Sequence, residues 1–191
     1  MNNIKLVFVL FLLSSLSVLK GQNLNKDTSK LTYSSRYFIS FGLGVQMSGY
    51  KQEDFIKSNY SPLVDISIGK WFSPELAIQL GYKGWYFNTI NNPDKRHYAY
   101  FYGEAIFNIN EIIKSLSNPK WNINLHLGSG YFYNYYYGRP NICADFELSF
   151  HYNFSSELSL YFNISSIMGW DIYQNNEDIL PGSSIGITYS F

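Results

Sequence analysis

Hydrophobic and polar residues alternate with a period of two through most of this chain, and the last ten residues show the pattern most plainly. Ser183, Ile185, Ile187, Tyr189 and Phe191 fall on one face, and Gly182, Ser184, Gly186, Thr188 and Ser190 on the other. A period of two means strand, because successive side chains of a pleated backbone point to opposite sides. An apolar face that carries aromatics up to the final residue reads as the closing strand of a membrane barrel.

Seven earlier segments repeat the alternation. Tyr37, Ile39, Phe41, Leu43, Val45 and Met47 oppose Ser40, Gly42, Gly44 and Gln46, and Val64, Ile66, Ile68 and Phe72 oppose Asp65, Ser67 and Gly69. Leu76, Ile78, Leu80 and Tyr82 oppose Ala77, Gln79, Gly81 and Lys83. In the fourth segment Ala99, Phe101, Ala105 and Phe107 oppose Tyr98, Tyr100, Tyr102 and Glu104. The fifth sets Trp121, Ile123, Leu125, Leu127, Tyr131, Tyr133 and Tyr135 against Asn122, Asn124, His126, Gly128 and Gly130. The sixth sets Ala144, Phe146, Leu148, Phe150, Tyr152 and Phe154 against Asp145, Glu147, Ser149, His151 and Asn153. The seventh sets Leu158, Leu160, Phe162, Ile164, Met168 and Trp170 against Ser159, Tyr161, Asn163 and Ser165.

The expected fold is therefore all-β: an eight-stranded antiparallel up-and-down transmembrane β-barrel over residues 36–191. Connection lengths agree. Turns at Ser73-Pro74 and Ser155-Ser156 are short, whereas Ser48–Asn59, Asn88–Arg96 and Asp171–Pro181 are long. Short periplasmic turns and long outer loops would leave both termini periplasmic. Two links depart from this scheme: Asn110–Leu116, where Asn110 is expected to cap one helical turn, and the short outer link near Gly138.

A soluble eight-stranded carrier of the lipocalin kind is the main rival, but it would put its apolar face inward. Here Asp65, Lys83, Glu104, Asp145 and Glu147 all share the face of the glycines and serines, and Lys70 alone falls on the apolar side, near a strand end where its stem can snorkel.

Composition explains why alternation is needed. Aromatics make up 19% of the chain and charged residues only 15%, yet beyond the N-terminus no run is long and apolar enough for a membrane helix. Residues 1–21 read as a signal peptide, with Lys5 before the apolar run Leu6–Leu13, and cleavage is expected after Gly21. Residues 22–35 form a polar, flexible periplasmic lead-in. No Cys lies near the cleavage site, so a lipid anchor there is not expected. Without Lys5 and Lys20 the formal charge is about −2, which argues against nucleic acid as a partner. Cys143 is the one cysteine, so no intrachain disulfide can form.

The leader ending in Gly21-Gln22, the turn Trp71-Phe72-Ser73-Pro74-Glu75-Leu76 and the ending Ile187-Thr188-Tyr189-Ser190-Phe191 make the chain resemble the small outer-membrane OmpA/OmpX-like barrels, in the form common in Bacteroidota. The likeness covers the whole mature chain and implies a Gram-negative cell outer membrane. It also implies that Ile187, Tyr189 and Phe191 form the C-terminal signal read by the barrel-assembly machinery. It says less about activity, because the family is functionally mixed. No peptidoglycan-binding domain follows the barrel, so wall anchoring is not expected.

Pairing about the turns suggests what the interior holds. Folding about Ser73-Pro74 sets Asp65 opposite Lys83, and folding about Asn91-Asn92-Pro93 sets Glu104 diagonal to Lys83. One cation between two carboxylates is either a polar plug or gate, or simple charge satisfaction inside a filled barrel. Eight strands leave room for little beyond side chains, so no continuous aqueous pore is expected. Folding near Gly138 sets His126 opposite His151. Two imidazoles could share a metal or respond to pH, but with no third ligand evident they read as hydrogen-bonded interior histidines.

On the outward face, Trp121 and Phe154 at the periplasmic ends and Tyr133, Tyr135 and Trp170 at the outer ends are expected to form two aromatic girdles in contact with outer-membrane lipids. Asp171, Glu177 and Asp178 in the last long loop could bridge cations to surface lipid or to an unknown surface partner. Asn-x-Ser matches at Asn59, Asn153 and Asn163 would matter only in a eukaryotic secretory route. His97 near the outer rim is the one candidate for lipid-modifying chemistry, without an accompanying signature. No catalytic residue, metal or cofactor is indicated. The leading expectation is a non-enzymatic outer-membrane barrel serving envelope integrity or surface interaction through its long loops. The alternatives are a lipid-modifying enzyme, a small channel and a soluble carrier.

Overall fold

The computed structural model describes residues 36–48, 60–86, 96–113, 116, 120–170, 172 and 177–191. The expected signal peptide, the lead-in and most of the three long loops, Asp171 included, lie outside these residues. Eight strands follow one another: β1 (Tyr37–Met47), β2 (Tyr60–Trp71), β3 (Leu76–Tyr86), β4 (His97–Asn108), β5 (Trp121–Asn134), β6 (Arg139–Asn153), β7 (Leu158–Trp170) and β8 (Glu177–Ser190). A single helical turn, α1 (Ile109–Ile112), joins β4 to β5. Each strand pairs antiparallel with the next and β8 pairs back onto β1, closing an eight-stranded up-and-down barrel. Closure matters physically, since it removes the unpaired edge that an open sheet would expose.

The ending of the chain forms that seam. Ile185 lies opposite Leu43 and Ile187 opposite Phe41. Tyr37 and Phe191 exchange backbone hydrogen bonds of 3.1 and 2.9 Å, and their rings stack with centroids 6.1 Å apart.

Two of the short turns are copies of one device. Phe72-Ser73-Pro74-Glu75-Leu76 and Phe154-Ser155-Ser156-Glu157-Leu158 differ only at the middle residue. In each, the Phe and Ser amides donate to the Leu carbonyl, while the Ser hydroxyl oxygen accepts from the Glu and Leu amides. The Glu carbonyl then accepts from the following strand, Asn108 N in one case and Ser190 N in the other. Serine supplies the acceptor that the turn's amides would otherwise lack.

Two links differ from expectation. The cap of α1 is Asn108, not Asn110: its Oδ1 accepts from the amides of Asn110 and Glu111. Asn110 is instead buried inside the turn, where its side chain donates to the Leu116 and Trp121 carbonyls and accepts from Ile123 N, pinning the link to β5. The β5–β6 turn is centred between Tyr136 and Tyr137, ahead of Gly138. Asn134 pairs with Arg139, and Asn134 Oδ1 accepts from the amides of Tyr136 and Tyr137. Gly138 is the last turn residue, with φ +64°, where a left-handed backbone favours glycine.

Space inside the barrel is divided between tyrosines and glycines. The Tyr161 ring lies against Gly42 and Gly186, and the Tyr102 ring against Gly81, so that a Cβ at any of these glycines would overlap the ring. Large and small residues must alternate for an eight-stranded lumen to fill without clash. Gly42→Ala should therefore lower the unfolding free energy in lipid vesicles by about 1–3 kcal/mol. Adding Tyr161→Phe, which removes the atom nearest the new methyl, should recover at least half of that. An equal loss in both backgrounds would show that the ring is not what limits the space.

Candidate functional site

Inward residues change character along the barrel axis. Along β4 they run Tyr98, Tyr100, Tyr102, Glu104, Ile106 from the long-loop end to the short-turn end. At the loop end Tyr98, Tyr100, Phe132, Cys143, Ile167, Ile172 and Leu180 form one buried apolar cluster, in which Tyr98 and Phe132 stack at 4.9 Å. At the turn end Phe38, Ala77 and Ile106 form a second, with Trp71 packed on it. Between them lies a charged layer. Lys83 is 1% exposed, Asp145 0% and Glu104 2%.

Lys83 is the hub of that layer. Its Nζ lies 2.8 Å from Asp145 Oδ2, 2.9 Å from Glu147 Oε2 and 3.5 Å from Glu104 Oε1, and 4.5 Å above the Tyr102 ring centre. The expected Asp65–Lys83–Glu104 trio is thus redrawn. Asp65 does lie opposite Lys83 in the register, but it takes its hydrogen bond from the Tyr102 hydroxyl at 2.7 Å. The ammonium instead crosses the lumen to β6, whose carboxylates reach the centre from the opposite wall. Glu104, four residues beyond the strand partner Tyr100, is still within reach of the long lysine stem.

Glu104 is held from a second side. Its Oε2 accepts from Gln79 Nε2 at 2.5 Å and lies 3.3 Å from His126 Nδ1, and Gln79 Oε1 accepts from Ser67. The same His126 nitrogen is 3.6 Å from Glu147 Oε1.

His126 and His151 are not opposite one another: His126 pairs with Glu147, and His151 with Asn122. The earlier turn centre moves the register by four residues, an even shift that leaves both rings inward. They meet through a third residue, Ser149, whose hydroxyl lies 2.8 Å from His126 Nε2 and 3.1 Å from His151 Nε2. One hydroxyl can donate to one ring and accept from the other, which completes a chain from Glu104 and Glu147 through His126 and Ser149 to His151. Ser149 itself is fully buried, so the serine and histidine are arranged as a structural chain and not as an accessible nucleophile and base. Asp145, Glu147, Gln79 and Ser149 were the members that strand-by-strand pairing did not join. Gln79 is in fact the register partner of Glu104, and Glu147 and Ser149 lie beside His126 once the β5–β6 register is set, whereas the links of Lys83 to Asp145 and Glu147 cross the lumen and do not follow from neighbouring strands.

The outward residues are exposed, among them Trp121, Phe154, Tyr135 and Trp170, while Tyr133 is half-buried between Tyr131 and Tyr135. Lys70 extends its ammonium over the Tyr37 ring at 4.8 Å. His97 lies on the outer surface, where its Nδ1 donates to the Trp85 carbonyl at 3.2 Å. The side chains of Glu177 and Asp178 lie outside the described residues.

No family model and no curated protein matches the sequence. Among solved structures the chain is similar to Neisserial surface protein A, with a TM-score of 0.61 at 10% identity over 81% of this chain and 97% of that one. It is also similar to the N-terminal β-barrel domain of Pseudomonas aeruginosa OprF, with a TM-score of 0.54 at 10% identity over 83% and 100%. A third is Ail, the attachment invasion locus protein of Yersinia pestis, with a TM-score of 0.51 at 12% identity over 83% and 99%. At such identities the likeness is one of fold: a small outer-membrane-type barrel.

Removing the hub should be costly, because it strands buried carboxylates. Lys83→Met should destabilise the barrel by about 3–5 kcal/mol. Asp65→Asn, which keeps an acceptor for Tyr102, should cost about 1 kcal/mol. Urea unfolding from lipid vesicles, followed by tryptophan fluorescence, compares them. Equal losses would mean that Lys83 is not the member on which the layer depends.

Proposed function

We propose that this chain is a non-enzymatic integral protein of the cell outer membrane, related to the OmpA/OmpX-like barrels, that serves envelope integrity or surface interaction through its long loops. The observation that carries this reading is the outer wall. Along β1 to β7, among the described residues, Lys70 is the one formal charge at an outward position, and Ile39, Phe41, Ile68, Leu80, Phe101 and Phe162 stand exposed there. An apolar surface that runs right round a barrel has no counterpart on a monomeric soluble protein, but it is what a bilayer requires.

On this reading the aromatics near the strand ends sit at the two headgroup levels, the short Ser-centred turns and both termini face the periplasm, and the long loops face outward. Outer-membrane lipid is the first partner, and Ile187, Tyr189 and Phe191 are the segment offered to the barrel-assembly machinery. The named relatives in fold include a surface protein and an attachment invasion locus protein, which fits a role exercised at the outer rim. The filled lumen favours this over a channel.

Fractionation and gel mobility test the reading together. The mature protein should appear in the outer-membrane fraction, run faster unboiled than boiled after extraction in mild detergent, and give no stepwise conductance in planar bilayers. Recovery in the periplasm or medium without a mobility shift would overturn the membrane assignment in favour of a soluble carrier. Discrete conductance steps would reinstate the channel.

A further inference from the structure

The link between β4 and β5 takes over where β4 stops. β4 makes its last pair with β5 at Asn108 and Asn124, yet β5 begins further down at Trp121, so that Trp121, Asn122 and Ile123 pair with β6 alone. Asn110 covers the edge left open: its Nδ2 donates to the Trp121 carbonyl at 3.1 Å and its Oδ1 accepts from Ile123 N at 2.8 Å. These are groups that a longer β4 would have paired, so α1 occupies the next place along the wall. The same Nδ2 donates to the Leu116 carbonyl at 2.8 Å, and Leu116 N donates to the Ile113 carbonyl. One buried side chain thus ties the backbone of Ile113, Leu116 and Trp121 into a unit.

What this unit shows to its surroundings is apolar. Ile112, Ile113, Leu116 and Trp121 are between 47% and 52% exposed, whereas Asn110 is buried. The charges among the described residues of the link are Glu111, half-buried in the first turn, and Lys120 next to Trp121. The two serine-centred links are the reverse, with Ser73-Pro74-Glu75 and Ser155-Ser156-Glu157 at their tips. Nor does the apolar surface end with the link. Trp121 packs on Tyr152 at 4.8 Å and Tyr152 on Phe154 at 5.1 Å, all three at outward positions. Phe107, the last outward residue of β4, shares a register row with Leu76 and Leu125.

We propose that the β4–β5 link is a lipid anchor, seated in the periplasmic leaflet with Ile112, Ile113 and Leu116 against acyl chains and Trp121 beside them at the headgroup level. Its occupant is phospholipid because the exposed face is continuous with the apolar wall through Trp121, and a continuous surface meets the same solvent. Glu111 and Lys120 fit the boundary of that leaflet, where charged groups reach water. The inference rests on the membrane reading above and deepens it. One side of the turn end is held in lipid while the serine-centred turns stand in water.

The test uses the full mature protein with Cys143→Ala, folded into phosphatidylcholine vesicles and carrying one nitroxide spin label at a time through Ile113→Cys, Leu116→Cys, Ser156→Cys or Phe101→Cys. Heat-dependent gel mobility checks that each labelled protein is folded. Power saturation then compares collisions with oxygen, which concentrates in the bilayer, and with a water-soluble nickel chelate. The ratio of oxygen to nickel collisions at 113 and 116 should be several-fold higher than at 156 and close to that at 101 on the wall. Nickel-dominated collisions at 113 and 116, with oxygen still favoured at 101, would put the link in water and overturn the anchor. Shielding from both reagents would overturn it as well, giving the surface to a second copy if the detergent-extracted protein elutes as a dimer and to another part of this chain if it elutes as a monomer. Failure of the membrane reading looks different again, since then the label at 101 would also be nickel-dominated and no mobility shift would be seen.

Discussion

The ammonium of Lys83 lies at the centre of a closed cylinder, and most of the interior is arranged around it. Reaching Glu104 on the neighbouring β4 and Asp145 and Glu147 on β6, it ties walls of the barrel that never pair as strands. Strand hydrogen bonds fix each neighbour to the next but leave the lumen's cross-section to the side chains. A buried ion cluster supplies that constraint only when every member keeps a partner, because a desolvated charge left alone costs several kcal/mol. Gln79, His126 and the Tyr102 hydroxyl therefore belong to the same construction, the first two turned onto Glu104 and the third onto Asp65, while Asp145 Oδ1 is buried without a hydrogen-bond partner.

The apolar clusters at the two ends follow from the same constraint. Charges in a narrow lumen interact strongly only where water is kept out. The stacked Tyr98 and Phe132 close the loop end, and Phe38 with Trp71 closes the turn end. Eight strands enclose too little space for large rings at every level, so glycines such as Gly42 and Gly81 lie beneath the tyrosines. The inward face is thus a packed core inverted in polarity: ions and amides in the middle, rings at the ends, hydrocarbon outside.

Legibility in the sequence followed the same physics. Strand number, facing and closure were readable because every outward position answers to one solvent, and alternation reports that demand at each residue. The β2–β3 register was readable from Ser73-Pro74, whose turn leaves no freedom in the pairing. The β5–β6 register was not, because Asn134 opens that turn through its own side chain and puts Gly138 at the end, not the middle. The resulting shift was even, so it left His126 and His151 facing inward and changed only their partners. Alternation cannot detect an error of that kind. The links of Lys83 to Asp145 and Glu147 were illegible for another reason: they join strands three apart, and side-chain reach across a lumen leaves no mark in the spacing of residues along the chain.

That division bears on where activity can reside. The inward face is taken up by packing and charge pairing, and the middle of the outward face is uniform apolar wall. The turn end is built from one five-residue motif used twice and a helical turn pinned by Asn110, each held by side-chain to backbone hydrogen bonds. What is left with chemical variety is the loop end. There the Tyr-rich β5–β6 turn, Arg96, His97 and Trp85 gather aromatic and basic side chains. In a barrel stabilised through its centre, such a rim can change its side chains at little cost to the fold, as loops on a rigid framework generally can. On the proposed reading, recognition belongs to the rim, with the wall and lumen serving to hold it at the surface of the membrane.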